Sequence, residues 1–234
     1  AGVFTHTATI GTLCAKGFTL QVNIPLGECG DTDQAHTYAG GKVKSWTISV
    51  DKTGNLIFEA DLIFKSGTTA TALATASYPS GAEVLSWLGG FLSVEGTEVL
   101  VDSWKLTCDN KLKTDRLSLG AGNLRKPVED AYREFSVEFT MDHESLAMYN
   151  RLIATTADDS TVAMVLRAGS PTIIGAVGSV KPNLQITLPA VRIDEAGSTV
   201  DGTSMLTESI KGMALNSSGN DAVSIAYTTL DATP

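Results

Sequence analysis

Val43-Lys44-Ser45-Trp46-Thr47-Ile48-Ser49-Val50-Asp51 runs through Lys52-Thr53-Gly54-Asn55 into Leu56-Ile57-Phe58-Glu59-Ala60-Asp61-Leu62-Ile63-Phe64-Lys65. In the first run Trp46, Ile48 and Val50 share one face of an extended chain, and Ser45, Thr47 and Ser49 share the other. The intervening residues are turn-formers, with Gly54 suited to a positive φ. In the second run Leu56, Phe58, Ala60, Leu62 and Phe64 alternate with Ile57, Glu59, Asp61, Ile63 and Lys65. The pattern predicts a β-hairpin over 42–65 with one buried face.

The first run has an echo. Val101-Asp102-Ser103-Trp104-Lys105-Leu106-Thr107-Cys108-Asp109 repeats its Val, Ser, Trp and Asp at a constant offset of 58 residues, with Leu for Ile and Thr for Ser. A turn and a second strand follow each copy. Two strands with an inward Trp can match by chance; duplication of a hairpin module would instead give two related halves.

Outward from the hairpin, strand signals dominate. Alternation marks strands at Val3–Ile10, Phe18–Ile24 (stopped by Pro25), Phe91–Val94, Val99–Asp109, Leu112–Leu119, Tyr132–Met141, Val162–Arg167, Leu184–Ile193, Met205–Leu215 and Val223–Thr228. Within Tyr132–Met141, Phe135, Val137, Phe139 and Met141 oppose Glu134, Ser136, Glu138 and Thr140. Glu28–Gly41 and Gly120–Asp130 read as loops, and Glu83–Leu88 as a short helical turn ended by Gly89-Gly90. One helix is expected over 143–153, with Asp142 as its N-cap and Leu146, Tyr149, Leu152 and Ile153 as its apolar stripe. Residues 66–82 are Ser, Thr, Ala and Gly ending in Tyr78-Pro79-Ser80-Gly81, a loop too poor in large apolar groups to build a core. The organisation reads as a first β half over 1–96 (hairpin 42–65, long loop 66–82) and a second over 97–234 with the helix, or as one continuous domain.

Composition sets outer limits. The chain has 234 residues, of which 43% are hydrophobic and 18% charged, with 26 acidic against 17 basic side chains. That acidity argues against a dedicated nucleic-acid binder, though not against a surface that nucleic acid passes without sticking. No apolar run reaches membrane-spanning length. The first residues carry neither a basic leader nor an apolar signal core, so manufacture in the cytosol is expected. Cys14, Cys29 and Cys108 are widely spaced without a Cys-x-x-Cys pair and read as reduced thiols; a zinc site completed by His6, His36 or His143 lacks ligand spacing, and no metal or cofactor is assigned.

Catalytic patterns fail for stated reasons. Gly40-Gly41-Lys42 lacks the glycine and hydroxyl of a phosphate-binding loop, and His143-Glu144 has no second histidine one turn on. Ser49-Val50-Asp51-Lys52 meets the Ser-x-x-Lys pattern only formally, because it spans a strand end and a turn. Asp158-Asp159 has no third acidic ligand nearby. The Gly120-Ala121-Gly122 run before Arg125-Lys126 is weak as an anion site, and Asn216-Ser217-Ser218 is a glycosylation sequon without a secretory leader. No catalytic residue is assigned, and the chain is read as a structural protein and not an enzyme.

A resemblance carries the reading further. Tyr38-Ala39-Gly40-Gly41-Lys42 running into the hairpin, Arg133-Glu134-Phe135-Ser136-Val137-Glu138-Phe139 before a short helix, and Leu188-Pro189-Ala190-Val191-Arg192-Ile193 followed by a strand ending Tyr227-Thr228-Thr229-Leu230-Asp231 resemble the major tail tube proteins of long-tailed bacteriophages (siphophages). Longer members of that family carry a segment ahead of the first strand, which implies a shortened or processed N-terminus here. The resemblance implies a mainly β, sandwich or barrel-like tail-tube fold with one flanking helix. It implies a virion tail subunit, assembled in the host cytoplasm with itself and other tail proteins, in stacked rings around a channel for DNA. A single-domain subunit would form a hexameric ring and a duplicated one a pseudo-hexameric trimer. On this reading Glu59, Asp61, Glu134 and Glu138 are candidates to face the lumen. Thr68, Thr69, Thr71, Thr75 and Tyr78 are candidates for a loop reaching the adjacent ring. A β-sandwich decoration or adhesion module of a virion is the competing class.

Overall fold

The computed structural model describes residues 2–14, 16–25, 34–76, 83–116, 125, 127–155, 160–174, 180–199, 206–217 and 219–232. The strands are β1 (Phe4–Thr9), β2 (Phe18–Ile24), β3 (Gln34–Asp51), β4 (Ile57–Ile63), β5 (Ser66–Thr68), β6 (Ser86–Val94), β7 (Thr97–Val99) and β8 (Ser103–Asp109). They continue as β9 (Leu112–Lys113), β10 (Val128–Glu129), β11 (Glu134–Asp142), β12 (Thr161–Gly169), β13 (Asn183–Thr199), β14 (Thr207–Ala214) and β15 (Ser224–Thr229), with the helix α1 (Ala147–Leu152) between β11 and β12. The fold is mainly β, as expected.

Thirteen strands join into one antiparallel sheet running β2-β3-β8-β11-β14-β13-β12-β6-β7, with β4 and β5 added along β3, and β15 then β1 added along β13. The sheet turns over at β13, which pairs with β14 through its second half and with β12 and β15 through its first. Its inward positions change parity there: Leu184, Ile186 and Leu188 pack inward before Pro189-Ala190, Val191 and Ile193 after. A register irregularity against β12 in the same place supplies the extra residue that allows this. The two layers enclose one apolar cluster that includes Leu92, Trp104, Leu106, Val137, Phe139, Met164, Leu166, Ile186 and Ile210. The β3–β4 turn reaches back to β6, where Leu56 N–H donates to the Leu85 carbonyl at 2.8 Å and Asn55 bridges Ser86, so the sandwich curls toward a barrel.

The structure corrects several expectations. Glu83–Leu88 is not a helical turn: strand β6 begins at Ser86 and continues through Gly89-Gly90. Glycine serves the strand there because a Cβ on Gly89 would stand 2.9 Å from the Cα of Gly169 on β12. Residues 34–41, assigned to a loop, extend β3, with Gly40 at φ +67 making the bend between its two halves. Of Leu112–Leu119, the strand in the described residues is Leu112–Lys113. The helix is shorter than 143–153; Asp142 still belongs to β11 and does not cap it, and Leu146 stands at the N-cap without a side-chain hydrogen bond. Within the helix Met148 is buried and Leu152 of the expected inward stripe packs against the core, while Leu146, Tyr149 and Ile153 of that stripe face out. The hairpin forms where expected, with a register shift between Val43 and Ser45, yet its second strand lacks the buried face: β4 is exposed along almost its whole length and Phe58 is 64% exposed.

Both copies of the echo lie in one sheet. β3 and β8 are antiparallel neighbours in which Trp46 faces Cys108, Ile48 faces Leu106 and Val50 faces Trp104, a local two-fold arrangement of the repeated segment. The boundary suggested at 96/97 falls in the turn between β6 and β7, which pair with each other across it.

Candidate functional site

Register settles which side chains share a face, because directly opposed residues in antiparallel strands point to the same side. Glu59 lies opposite Thr47, Thr47 opposite Thr107, and Thr107 opposite Ser136. In a neighbouring row Asp61, Ser45, Asp109 and Glu134 follow one another across β4, β3, β8 and β11. In the row on the other side Ser49, Lys105, Glu138, Lys211 and Glu195 run from β3 to β13. The four carboxylates singled out from sequence, Glu59, Asp61, Glu134 and Glu138, therefore occupy one polar face of one sheet. The other face of these strands is the core, except along β4, where it is exposed.

That face is a ladder of alternating charge as much as an acidic wall. Lys105 Nζ lies 3.0 Å from Glu138, and Lys211 bridges Glu138 at 3.7 Å and Glu195 at 3.5 Å. Lys111 reaches from the turn after β8 to Asp109 at 3.0 Å and Glu134 at 2.8 Å. Its two carboxylate hydrogen bonds, to Glu134 and then Asp109, raise the Lys111 ammonium above its ordinary pKa. Asp109 is pushed up by partial burial, but hydrogen bonds from the Lys111 N–H and ammonium outweigh this and hold it below the usual carboxylate range. Glu59 and Asp61 differ: among the described residues neither has an ion pair, and Asp61 accepts a hydrogen bond from the Ser45 hydroxyl at 2.9 Å. At paired positions along these strands the face carries eight carboxylates (Asp51, Glu59, Asp61, Asp109, Glu134, Glu138, Asp142, Glu195) against Lys105, Lys211 and Arg192, with Lys111 reaching in from the turn after β8. Sequence reasoning missed those lysines because cross-strand neighbours are distant in the chain.

The face ends in two free edges. β4 pairs with β3 alone, and beyond Arg192 residues 193–199 of β13 pair with β14 alone among the described residues. An open strand edge offers unpaired N–H and C=O groups that another chain can take up.

The Thr-rich segment is anchored at its start. Thr68 lies in β5, which pairs with the first half of β3. Farther on, the Gln21 side chain donates to the Ala72 carbonyl at 3.2 Å and accepts from the Ala74 N–H at 2.9 Å. Thr69, Thr71 and Thr75 are exposed, and Tyr78 lies outside the described residues. β2, the first half of β3 and β5 thus form a small arm that carries this segment. Of the cysteines, Cys14 is exposed and Cys108 buried, its thiol pushed up to about 12 by desolvation; Cys29 lies outside the described residues. His143, considered as a ligand, instead places Nδ1 3.2 Å from Oε2 of the buried Glu208. Among the described residues no helix is long and apolar enough to cross a membrane.

A family model for phage tail tube proteins matches residues 11–233, nearly the whole chain. The chain belongs to the phage tail tube protein family. Comparison with curated proteins finds no match. Family membership makes this a structural protein of the bacteriophage tail that assembles with itself and other tail proteins.

Proposed function

We propose that the chain is the ring-forming subunit of a tail tube, that six copies close each ring, and that the polar face lines the channel through which DNA passes. The observation that carries this reading is the pair of free edges at opposite ends of β4-β3-β8-β11-β14-β13. These six strands alternate in direction, so β4 and β13 run oppositely. Rotation about a ring axis then brings β4 of one subunit antiparallel to residues 193–199 of the next, and the alternation continues around the ring. Closure removes both open edges of this six-strand stretch. Because both echo strands sit side by side around a single core, the chain acts as one unit, which supports six copies over three.

With the core face turned outward, the face bearing Glu59, Asp61, Glu134 and Glu138 turns to the channel. Its excess of carboxylates, repeated around and along the tube, repels DNA phosphates over a Debye length of about 8 Å at physiological salt. The lysine ladder keeps that field moderate and stiffens the wall. The arm with Thr68, Thr69, Thr71 and Thr75 extends the subunit toward the adjacent ring. Electron microscopy of the purified protein, alone and with its tail partners, tests the assembly: rings and hollow tubes are expected, whereas uniform globules under both conditions would favour a decoration or adhesion module.

A further inference from the structure

Two exposed apolar groups adjoin the two free edges, on the core side of the sheet. Phe58, Ala60 and Leu62 lie on that side of β4, opposite Ile48, Trp46 and Val43 of β3. Phe58 packs against Trp46 in a tilted arrangement with ring centroids 6.4 Å apart, yet keeps most of its surface in solvent. At the far edge lies α1, which packs against β13 and sends Met148 into the core. The chain leaves β11 at Asp142, paired with Thr207, which in turn pairs with Thr199 of β13. It re-enters the sheet at Thr161, opposite Arg192. The helix therefore crosses the stretch of β13 whose outer edge is open. Leu146, Tyr149 and Ile153 follow one another at helical spacing on its outward side, 59%, 45% and 57% exposed.

From this we infer that the outward stripe of α1 is the seat for Phe58 and Leu62 of the next copy in the ring. The inference rests on the ring reading above and adds to it which side chains meet. Edge pairing of β4 with residues 193–199 carries Phe58 and Leu62 onto the same side of the sheet as α1, immediately beside it. Each patch then supplies what the other lacks. A head-to-tail ring needs two different surfaces on one subunit that fit each other, and these are apolar, adjacent to matched edges and on the same side. Aromatic side chains buried at the centre of such a contact carry most of its energy.

The test uses the full chain with a photoreactive p-benzoylphenylalanine in place of Tyr149, assembled from an equal mixture of ordinary and ¹⁵N-labelled subunits. Irradiated rings should yield mixed-isotope crosslinks mapping to residues 57–63 of a different copy. As a second measurement, Phe58→Glu and Tyr149→Lys should each leave the thermal unfolding of the subunit unchanged and raise the concentration needed for ring formation by about tenfold or more, the loss of one interface hot spot. Combining the two substitutions should recover part of that loss through the opposed charges. Rings whose crosslinks map elsewhere, or single variants that assemble normally, overturn this contact and leave the tube reading standing. Failure of the unmodified chain to form any ring with its tail partners overturns both.

Discussion

The hairpin β3–β4 and the strand pair β8–β11 are built on the same repeated segment, and they end in opposite environments. Trp46 and Ile48 face Ala60 and Phe58 across the first pair; Trp104, Leu106 and Cys108 face Phe139, Val137 and Phe135 across the second. Phe135, Val137 and Phe139 are buried, because β14 continues the sheet beyond β11 and the second layer covers it. Phe58 and Leu62 are exposed, because among the described residues no strand continues the sheet beyond β4. Period-two alternation therefore says which way a side chain points and not what covers it. In one pair the apolar face is core; in the other it is an interface awaiting a neighbour.

The most direct way to break this comparison is to truncate one aromatic in each pair. Phe139→Ala should lower subunit stability by about 3–5 kcal/mol, through lost burial and the cavity left behind. Phe58→Ala should change it by less than about 0.5 kcal/mol, as for other exposed positions, while sharply reducing assembly. Denaturant unfolding of the dissociated subunit together with light scattering of the assembly reads both. Equal stability losses would mean that β4 belongs to the core of the subunit and the contrast is wrong.

Much of this was legible in the sequence, and the failures have physical reasons. The hairpin itself, the burial of Phe135, Val137 and Phe139, and the placement of four carboxylates on the polar side all follow from alternation. The exposure of β4 was not legible, since it depends on the absence of a further strand. The helix was half legible: Leu152 of the expected stripe does pack against the core, but Leu146, Tyr149 and Ile153 satisfy the same spacing and face out, while Met148 supplies the buried contact. Gly89-Gly90 resembled a terminator because glycine ends helices; here it permits the close approach of β6 to Gly169. The polar face was half legible, its acids visible from alternation and its neutralising lysines hidden by long-range pairing.

The next test sharpens the comparison at the edge that receives β4. His143 N–H donates to the Leu206 carbonyl at 2.8 Å and its ring meets the buried Glu208, fixing the chain where it leaves β11 for α1. His143→Ala leaves the Glu208 side chain buried without that partner and should cost about 2 kcal/mol. It should also loosen α1, seen as faster amide exchange at Asn150 and Ile153, whose N–H groups bond Leu146 and Tyr149. Unchanged exchange there would separate the pair from the helix.

On the polar face the two pairs differ again, and charge reversal reads the difference. Glu134→Lys with Glu138→Lys removes the carboxylate partner of Lys105 and one of the two partners of Lys111 and of Lys211, and sets lysines beside lysines, so the subunit's melting midpoint should fall. Glu59→Lys with Asp61→Lys disturbs no ion pair among the described residues and should leave the midpoint in place. Both double variants should slow DNA release from assembled phage, since each adds four positive units per subunit to the channel wall. Normal release from particles built with the β4 variant would put that face outside the channel.

The smallest expected effect tests the one core-side position where the repeat differs in chemistry. Cys108 occupies the place that Val50 holds in the first copy, and it faces Trp46 across the β3–β8 pair. Desolvation raises its thiol to about 12, whereas an unfolded chain titrates it near ~8.5. Between those values the folded state keeps a proton that the unfolded state has lost, so the contribution to stability is complete below about pH 8.5 and declines as pH rises toward 12. Below that window the thiol behaves as a small apolar group, and Cys108→Val restores the residue of the first copy with little change in volume. The variant should therefore melt like the parent at pH 7 and lose less stability between pH 8.5 and 10.5, with thermal scans at matched ionic strength resolving the slopes. Native alkylation at pH 8 should modify exposed Cys14 and spare Cys108. Parallel slopes for parent and variant, or rapid labelling of Cys108 in the folded subunit, would show that the β3–β8 interior is open to solvent and that the buried half of the comparison is less closed than its geometry indicates.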